Sequence, residues 1–158
     1  MRNLILYVIV AIGACIAAGC TEELTPTPYT LSKIVSGETS KTWKITLFEY
    51  AVNDTVQNKF MEACLIDDRF KFYNNIERLY ETTSGRTKCF EDEETLTSSA
   101  WTFTNSNATL TMVMPIFSDG IIPFFVRELE SNSMVVELFL DDTNTESYRI
   151  HFEMTDEE

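Results

Sequence analysis

Four cysteines, one histidine and 25 acidic residues are the side chains of this 158-residue chain whose types suit chemistry. Hydrolysis by a triad needs a base beside a nucleophile. The sole histidine, His151, alternates out of the apolar face of the last segment and reads as a surface imidazole. Two cysteines, Cys64 and Cys89, with that one distant histidine supply neither the ligand number nor the close spacing of structural zinc. Carboxylate-pair catalysis needs two acids held at a set separation, and no spacing among the acids singles out a pair. Asp67-Asp68 and Asp141-Asp142 stand beside strand ends, where turns favour Asp, and Glu91 to Glu94 reads as a solvated loop. With no Gly-rich phosphate loop and no metal motif, the residues point away from an enzyme and call for no cofactor.

The stretch from Cys64 to Cys89 must position whatever these side chains do. Phe70 and Phe72 alternate with Arg69 and Lys71, the period of a half-buried strand, and Asn74-Asn75 offers a turn before a second strand ending near Thr82. Both sulfurs then return to the open end of a hairpin. A bridge is geometrically reasonable there, because antiparallel partners sit about 4.5–5.5 Å apart at Cα and disulfides span about 4.4–6.8 Å.

Met1-Arg2-Asn3 and the uncharged run Leu4 to Ala18 make a positive start and an apolar core of 15 residues. That is shorter than the ~20 residues a membrane-spanning helix requires, and it fits a cleaved signal peptide. Ala17-Ala18-Gly19-Cys20 resembles the lipobox of bacterial lipoproteins, in which the cysteine is diacylated and becomes the new N-terminus; Ala17 departs from the commoner leucine. A secretory peptide with a cysteine in its cleavage region is the alternative. On the lipoprotein reading residues 1–19 are removed, Cys20 carries lipid, and Cys64 and Cys89 remain as a pair in an oxidising compartment. Residues 20–40, rich in Thr, Ser, Pro and Glu, read as a lipidated N-terminus and flexible tether, with Pro26 and Pro28 disfavouring helix and sheet. Glu22 and Glu23 resemble the acidic export signal of Bacteroidetes surface lipoproteins, and an ordinary solvated linker explains them as well. The expected location is the cell envelope, as an outer-membrane lipoprotein on the periplasmic face or the cell surface. Processing removes one basic residue from a chain of formal charge −13, so nucleic acid and anionic headgroups are repelled. Membrane attachment would rest on the acyl chains at Cys20.

The folded domain is expected over residues 41–158. Trp43, Ile45 and Leu47 share one face of a first strand. Asp54-Thr55-Val56-Gln57 reads as a capping box opening a short helix that ends near Ala63. Alternation continues through Trp101 and Phe103, then Leu110, Met112 and Met114, where Pro115 breaks the strand. Asp119-Gly120 and Glu130 to Ser133 mark turns before Met134, Val136, Leu138 and Leu140, and Tyr148, Ile150, Phe152 and Met154 share the last apolar face. About eight strands with one short helix after the first define an all-β, antiparallel up-and-down barrel or a sandwich.

Trp43 in a first strand, Cys64-x-x-Asp67-Asp68-x-Phe70-x-Phe72, a second cysteine at Cys89 and Trp101 in a later strand resemble the lipocalin-like domain of Bacteroidetes lipoproteins, over residues 41 to 154. The departure is Asn74-Asn75 where that family has glycine. The resemblance implies an eight-stranded up-and-down barrel. Asp54-Thr55-Val56 also resembles the O-glycosylation sequon of exported Bacteroidetes proteins, with Thr55 as acceptor. Two function classes follow. In one, Trp43, Phe70, Phe72, Trp101, Leu110, Met112, Phe124 and Tyr148 line a cavity for a small apolar ligand. In the other, favoured here, the barrel is full and acts as an interaction or structural module with an envelope protein as partner.

Overall fold

The computed structural model describes residues 28–104 and 108–156, so Cys20 and the segment 1–19 expected as a signal peptide lie outside the described residues. The described residues fold into one antiparallel sheet of ten strands: β1 Ser40–Val52, β2 Thr55–Phe60, β3 Arg69–Tyr73, β4 Leu79–Thr83, β5 Leu96–Ala100, β6 Thr102–Thr104, β7 Thr109–Met114, β8 Ser118–Leu129, β9 Ser133–Phe139 and β10 Glu146–Thr155. Sequence neighbours pair in space, and β1 pairs with β10 to join the ends of the chain. Two pairs of these strands are single staves that have been interrupted. β2 and β3 both lie antiparallel along the same long β1, separated by the excursion 61–68. β5 and β6 are separated only by Trp101, where the stave leaves β4 and joins β7. Ten strands thus make eight staves of a nearly closed up-and-down barrel.

Alternation fixes which side chains fill it. Phe70 and Phe72 of β3, Tyr80 of β4, Leu110, Met112 and Met114 of β7, Phe124 of β8, Met134 and Val136 of β9, and Ile150 and Phe152 of β10 are all buried. Rings touch across the interior: Phe72 lies 4.7 Å from Tyr80 and 5.6 Å from Trp101, and Phe70 lies 5.5 Å from Phe152, centroid to centroid. In β1 the expected Trp43, Ile45, Leu47 face is corrected by a bulge. Thr46 is an extra residue against β10, so the phase changes and Phe48 turns inward while Leu47 turns out.

The short helix expected from Asp54 onward is instead β2. Val52 pairs with Thr55 across a two-residue loop, and Asn53 and Asp54 both have positive φ, 48° and 62°. This is the tight hairpin loop whose twist suits antiparallel strands, and Asn and Asp tolerate that backbone. Asp54 therefore serves a turn rather than a helix cap, and the long free edge of β1 decides the conformation of the residues after it. Among the described residues, helical structure after the first hairpin is confined to one 3-10 turn, Ala63–Leu65. The Asp119-Gly120 turn is also displaced: Pro115 ends β7 as expected, the chain turns at 115–117, and both residues already belong to β8.

A helix, α1 Pro28–Ser36, occupies part of the stretch expected as a tether. Its limits follow from proline being tolerated at the first helical position and from Gly37 taking φ 66° just beyond the end, where its N–H donates to Lys33 O at 2.8 Å. Val35 is buried against the barrel, and Trp43 Nε1 donates to Val35 O at 2.8 Å. Lys41 Nζ bridges Ile34 O and Ser131 O, and Arg78 Nη1 donates to Ser32 Oγ at 2.7 Å. With these contacts α1 covers the end of the barrel where β1 begins. The β1–β2 hairpin, the loop 84–95, the turn 115–117 and the loop 140–145 all lie at the opposite end.

Candidate functional site

Cys64 and Cys89 are joined, with Cα atoms 5.1 Å apart, and the bridge belongs to a larger clamp. Asp68 Oδ1 accepts from Gly85 N–H at 2.9 Å and Asp67 Oδ2 accepts from Arg86 N–H at 2.7 Å. Glu93 Oε2 accepts from Cys89 N–H at 2.6 Å, and Ser84 Oγ donates to Glu94 O at 2.7 Å. The Cys-x-x-Asp-Asp motif thus grips loop 84–95 through one covalent bond and two backbone amides. Gly85 is the residue this contact requires, because a Cβ there would stand 2.0 Å from Asp67 Cγ. Burial raises the Asp68 carboxyl to about 6, with the Gly85 N–H opposing that rise and the nearby Glu93 and Asp67 adding to it.

Loop 84–95 forms one wall of a cleft of about 720 Å³. Turn 115–117 forms the other wall, and the floor lies where β5 and β7 part. Asp92, Glu93, Glu94 and Asp119 line it together with Phe90, Val113 and Phe117, and among the described residues no basic side chain does. On the inner side stands Thr82, only 6% exposed, whose Oγ1 has no hydrogen-bond partner. The Tyr80 hydroxyl beside it is also unpaired, and burial holds the Tyr80 proton far more firmly than usual.

Ile116 and Phe117 also wall a second cleft of about 170 Å³, lined with Phe48, Phe60, Glu62 and Tyr148. The rings form a circuit: Phe48 to Phe60 at 5.5 Å, Phe60 to Tyr148 at 5.9 Å, Tyr148 to Phe117 at 5.9 Å and Phe117 to Phe48 at 6.4 Å.

The outer face carries a ladder of charges. Glu137, 1% exposed, is contacted by the Arg127 guanidinium, by Arg149 Nε at 3.1 Å and by Ser147 Oγ at 2.7 Å. Arg149 reaches on to Asp54, and Glu49 pairs with Lys59 at 2.5 Å. His151 turns outward as its alternation requires, but it is half-buried, with Nε2 3.4 Å from Glu49 Oε2. Burial opposes ionisation of Glu137, and its hydrogen bonds to Ser147 and the two arginines outweigh that, so its pKa lies below the usual carboxylate value. These groups surround a depression of about 250 Å³ and neutralise one another.

Of the candidate cavity residues, Trp43, Phe70, Phe72, Trp101, Leu110, Met112 and Phe124 come together in one buried cluster. Tyr148 does not join them; it sits at the open end in the aromatic cleft. Neither cleft at the open end is lined by any of those seven. Sequence reasoning missed Thr82, Phe90 and Phe117, which come from separate staves and loops and acquire meaning only through long-range pairing. Among the described residues no group of three His, Cys, Asp or Glu side chains is arranged to hold a metal, and no helix is long and apolar enough to cross a membrane.

The architecture defines an antiparallel, disulfide-linked β-barrel with a helix across one end. Compared with known families and with characterised proteins, the chain matches no family model and no curated protein.

Proposed function

We propose that this protein is a lipid-anchored cell-envelope lipoprotein whose lipocalin-like barrel is a non-enzymatic interaction or structural module. One observation carries the choice of module over carrier. The side chains that would have to line a ligand cavity are instead in mutual contact: Trp43, Phe72, Leu110, Met112 and Phe124 are fully buried, and Phe72 touches both Tyr80 and Trp101. Eight staves leave room for side chains or for one small ligand, and here large aromatic groups take that room. Concave surface lies at the open end instead, between loop 84–95 and turn 115–117. The anchor rests on Ala18-Gly19-Cys20 after an uncharged run, which supports diacylation of Cys20 and placement in the outer membrane.

Leu110→Phe tests the module reading. Adding volume beside Phe124 and Phe103, its cross-strand neighbours, should cost about 1–3 kcal/mol in urea denaturation if the interior is full. A neutral or stabilising substitution would favour a carrier of a small apolar ligand. Mass spectrometry of the mature protein should find an acylated Cys20 as its first residue; a free N-terminus elsewhere removes the anchor from the proposal.

A further inference from the structure

The barrel wall is split beside the acidic cleft. Among the described residues, β5 pairs with β4 on one side and with no strand on the other, while β7 is paired by β6 only from Thr109 to Thr111. The register tells which main-chain groups are left over. Ser84 N–H donates to Thr95 O at 3.0 Å and Trp101 N–H donates to Arg78 O at 2.9 Å, the two ends of the β4–β5 ladder. In an antiparallel ladder hydrogen-bonded residues alternate, so Thr97 and Ser99 bond to β4. Leu96 and Ser98 therefore turn their N–H and C=O toward the open edge. On the other lip, Val126 N–H donates to Ala108 O at 2.9 Å, so Leu110 and Met112 bond to β8 and Val113 faces the split.

The surroundings of this edge select its occupant. Four carboxylates line the cleft without a basic side chain among the lining residues, on a chain of net charge −13. Val113 and Phe117 supply apolar wall, and the unpartnered Thr82 hydroxyl supplies a polar group on the inner side. A cleft of about 720 Å³ is within the ~300–1,000 Å³ range of binding sites. Exposed strand edges recruit extended peptides through main-chain hydrogen bonds, with side-chain pockets adding selectivity. A small organic cation would meet the carboxylates but leave the main-chain groups of Leu96 and Ser98 unmatched; an extended peptide meets both.

We propose that this cleft binds an extended basic peptide segment, which adds to the free edge of β5 and sets lysine or arginine side chains against Asp92, Glu94 and Asp119. The proposal deepens the interaction-module reading and rests on it.

The probe is a fluorescein-labelled, N-acetylated hexapeptide of alternating lysine and valine, titrated by anisotropy against the mature protein. Saturable binding should weaken at least tenfold in Asp92→Asn/Glu94→Gln/Asp119→Asn. It should stay within twofold in a control that removes the same charge elsewhere, Glu77→Gln/Asp142→Asn/Glu153→Gln. Two further peptides carry N-methyl groups on the lysines alone or the valines alone, and at least one of them should lose tenfold, because only one set of amides faces β5. The proposal is overturned if both methylated peptides bind within twofold of the parent, if the triple variant matches its control, or if binding does not saturate by about 1 mM. Those failures leave the filled barrel untouched, since urea denaturation of Leu110→Phe reads the interior without reference to the cleft.

Discussion

Replacing Asp68 with asparagine should change how stability depends on pH. Asp68 is 2% exposed, and its carboxyl, ordinarily at 3.8, is raised to about 6 chiefly by burial. A raised acid means that the folded state holds this proton more tightly than the unfolded chain does. Folding therefore binds a proton between about pH 4 and 6, and stability contributed by this site falls as pH rises through that window. Above pH 6 the full penalty of a buried carboxylate is present. At about 1.4 kcal/mol per unit, the rise from 3.8 to about 6 makes that penalty at most about 3 kcal/mol. The asparagine introduced in Asp68→Asn carries no charge, and its side-chain oxygen can still accept from Gly85 N–H, so the clamp on loop 84–95 keeps its hydrogen bond. Glu49, Glu137 and Asp141 have lowered pKa values and lose stabilisation on acidification, but they do so in both proteins and cancel in the difference. Urea denaturation at pH 4.5 and 7.5 should show Asp68→Asn gaining on the parent by about 2 kcal/mol between the two pH values, since part of the penalty is already present at pH 4.5. A difference that is independent of pH, or that moves the other way, would refute the assignment of a buried, destabilising charge to Asp68.

Other substitutions probe the same end of the molecule and its outer face. Cys64→Ala with Cys89→Ala should lower stability by about 3 kcal/mol while far-UV circular dichroism still reports the barrel, because the bridge joins loops rather than staves. Gly85→Ala should destabilise by driving Cβ into Asp67, and Asp67→Ala in the same chain should recover part of the loss, a coupling that a double-mutant cycle in urea would measure. Glu137→Ala leaves Arg127 and Arg149 without their shared carboxylate and should cost about 3–5 kcal/mol by thermal or urea unfolding.

The alternating strands were legible in the sequence because one face of each is buried and the other is wet. Phe70 and Phe72, then Leu110, Met112 and Met114, announced both their strands and their inward direction, and Asn74-Asn75 announced the turn between β3 and β4. The disulfide was legible for the same reason, since a hairpin returns its ends to one place. Asp54 was misread because aspartate suits a helix cap and a tight hairpin loop equally, and only pairing with β1 decides between them. Helix α1 was hidden by composition: threonine and proline suggest a linker, while Pro28 and Gly37 at its two ends carried the weaker signal of a bounded helix. The bulge at Thr46 left no mark that alternation could detect. The acidic cleft was hidden most completely, for Glu91 to Glu94 had the composition of a solvated loop. It gains an opposing wall from turn 115–117 and a floor from the split between β5 and β7, neither of which is a local property of the sequence.

The filled interior can be read directly from its own fluorophores. Trp43 and Trp101 are the only two tryptophans, and both lie in the buried core. Titration of the mature protein with a fluorescent fatty-acid analogue should give no saturable energy transfer from these indoles, because Phe72, Leu110 and their neighbours already occupy the space. A saturable, one-to-one transfer signal that Leu110→Phe abolishes without loss of stability would contradict the account and make the barrel a carrier.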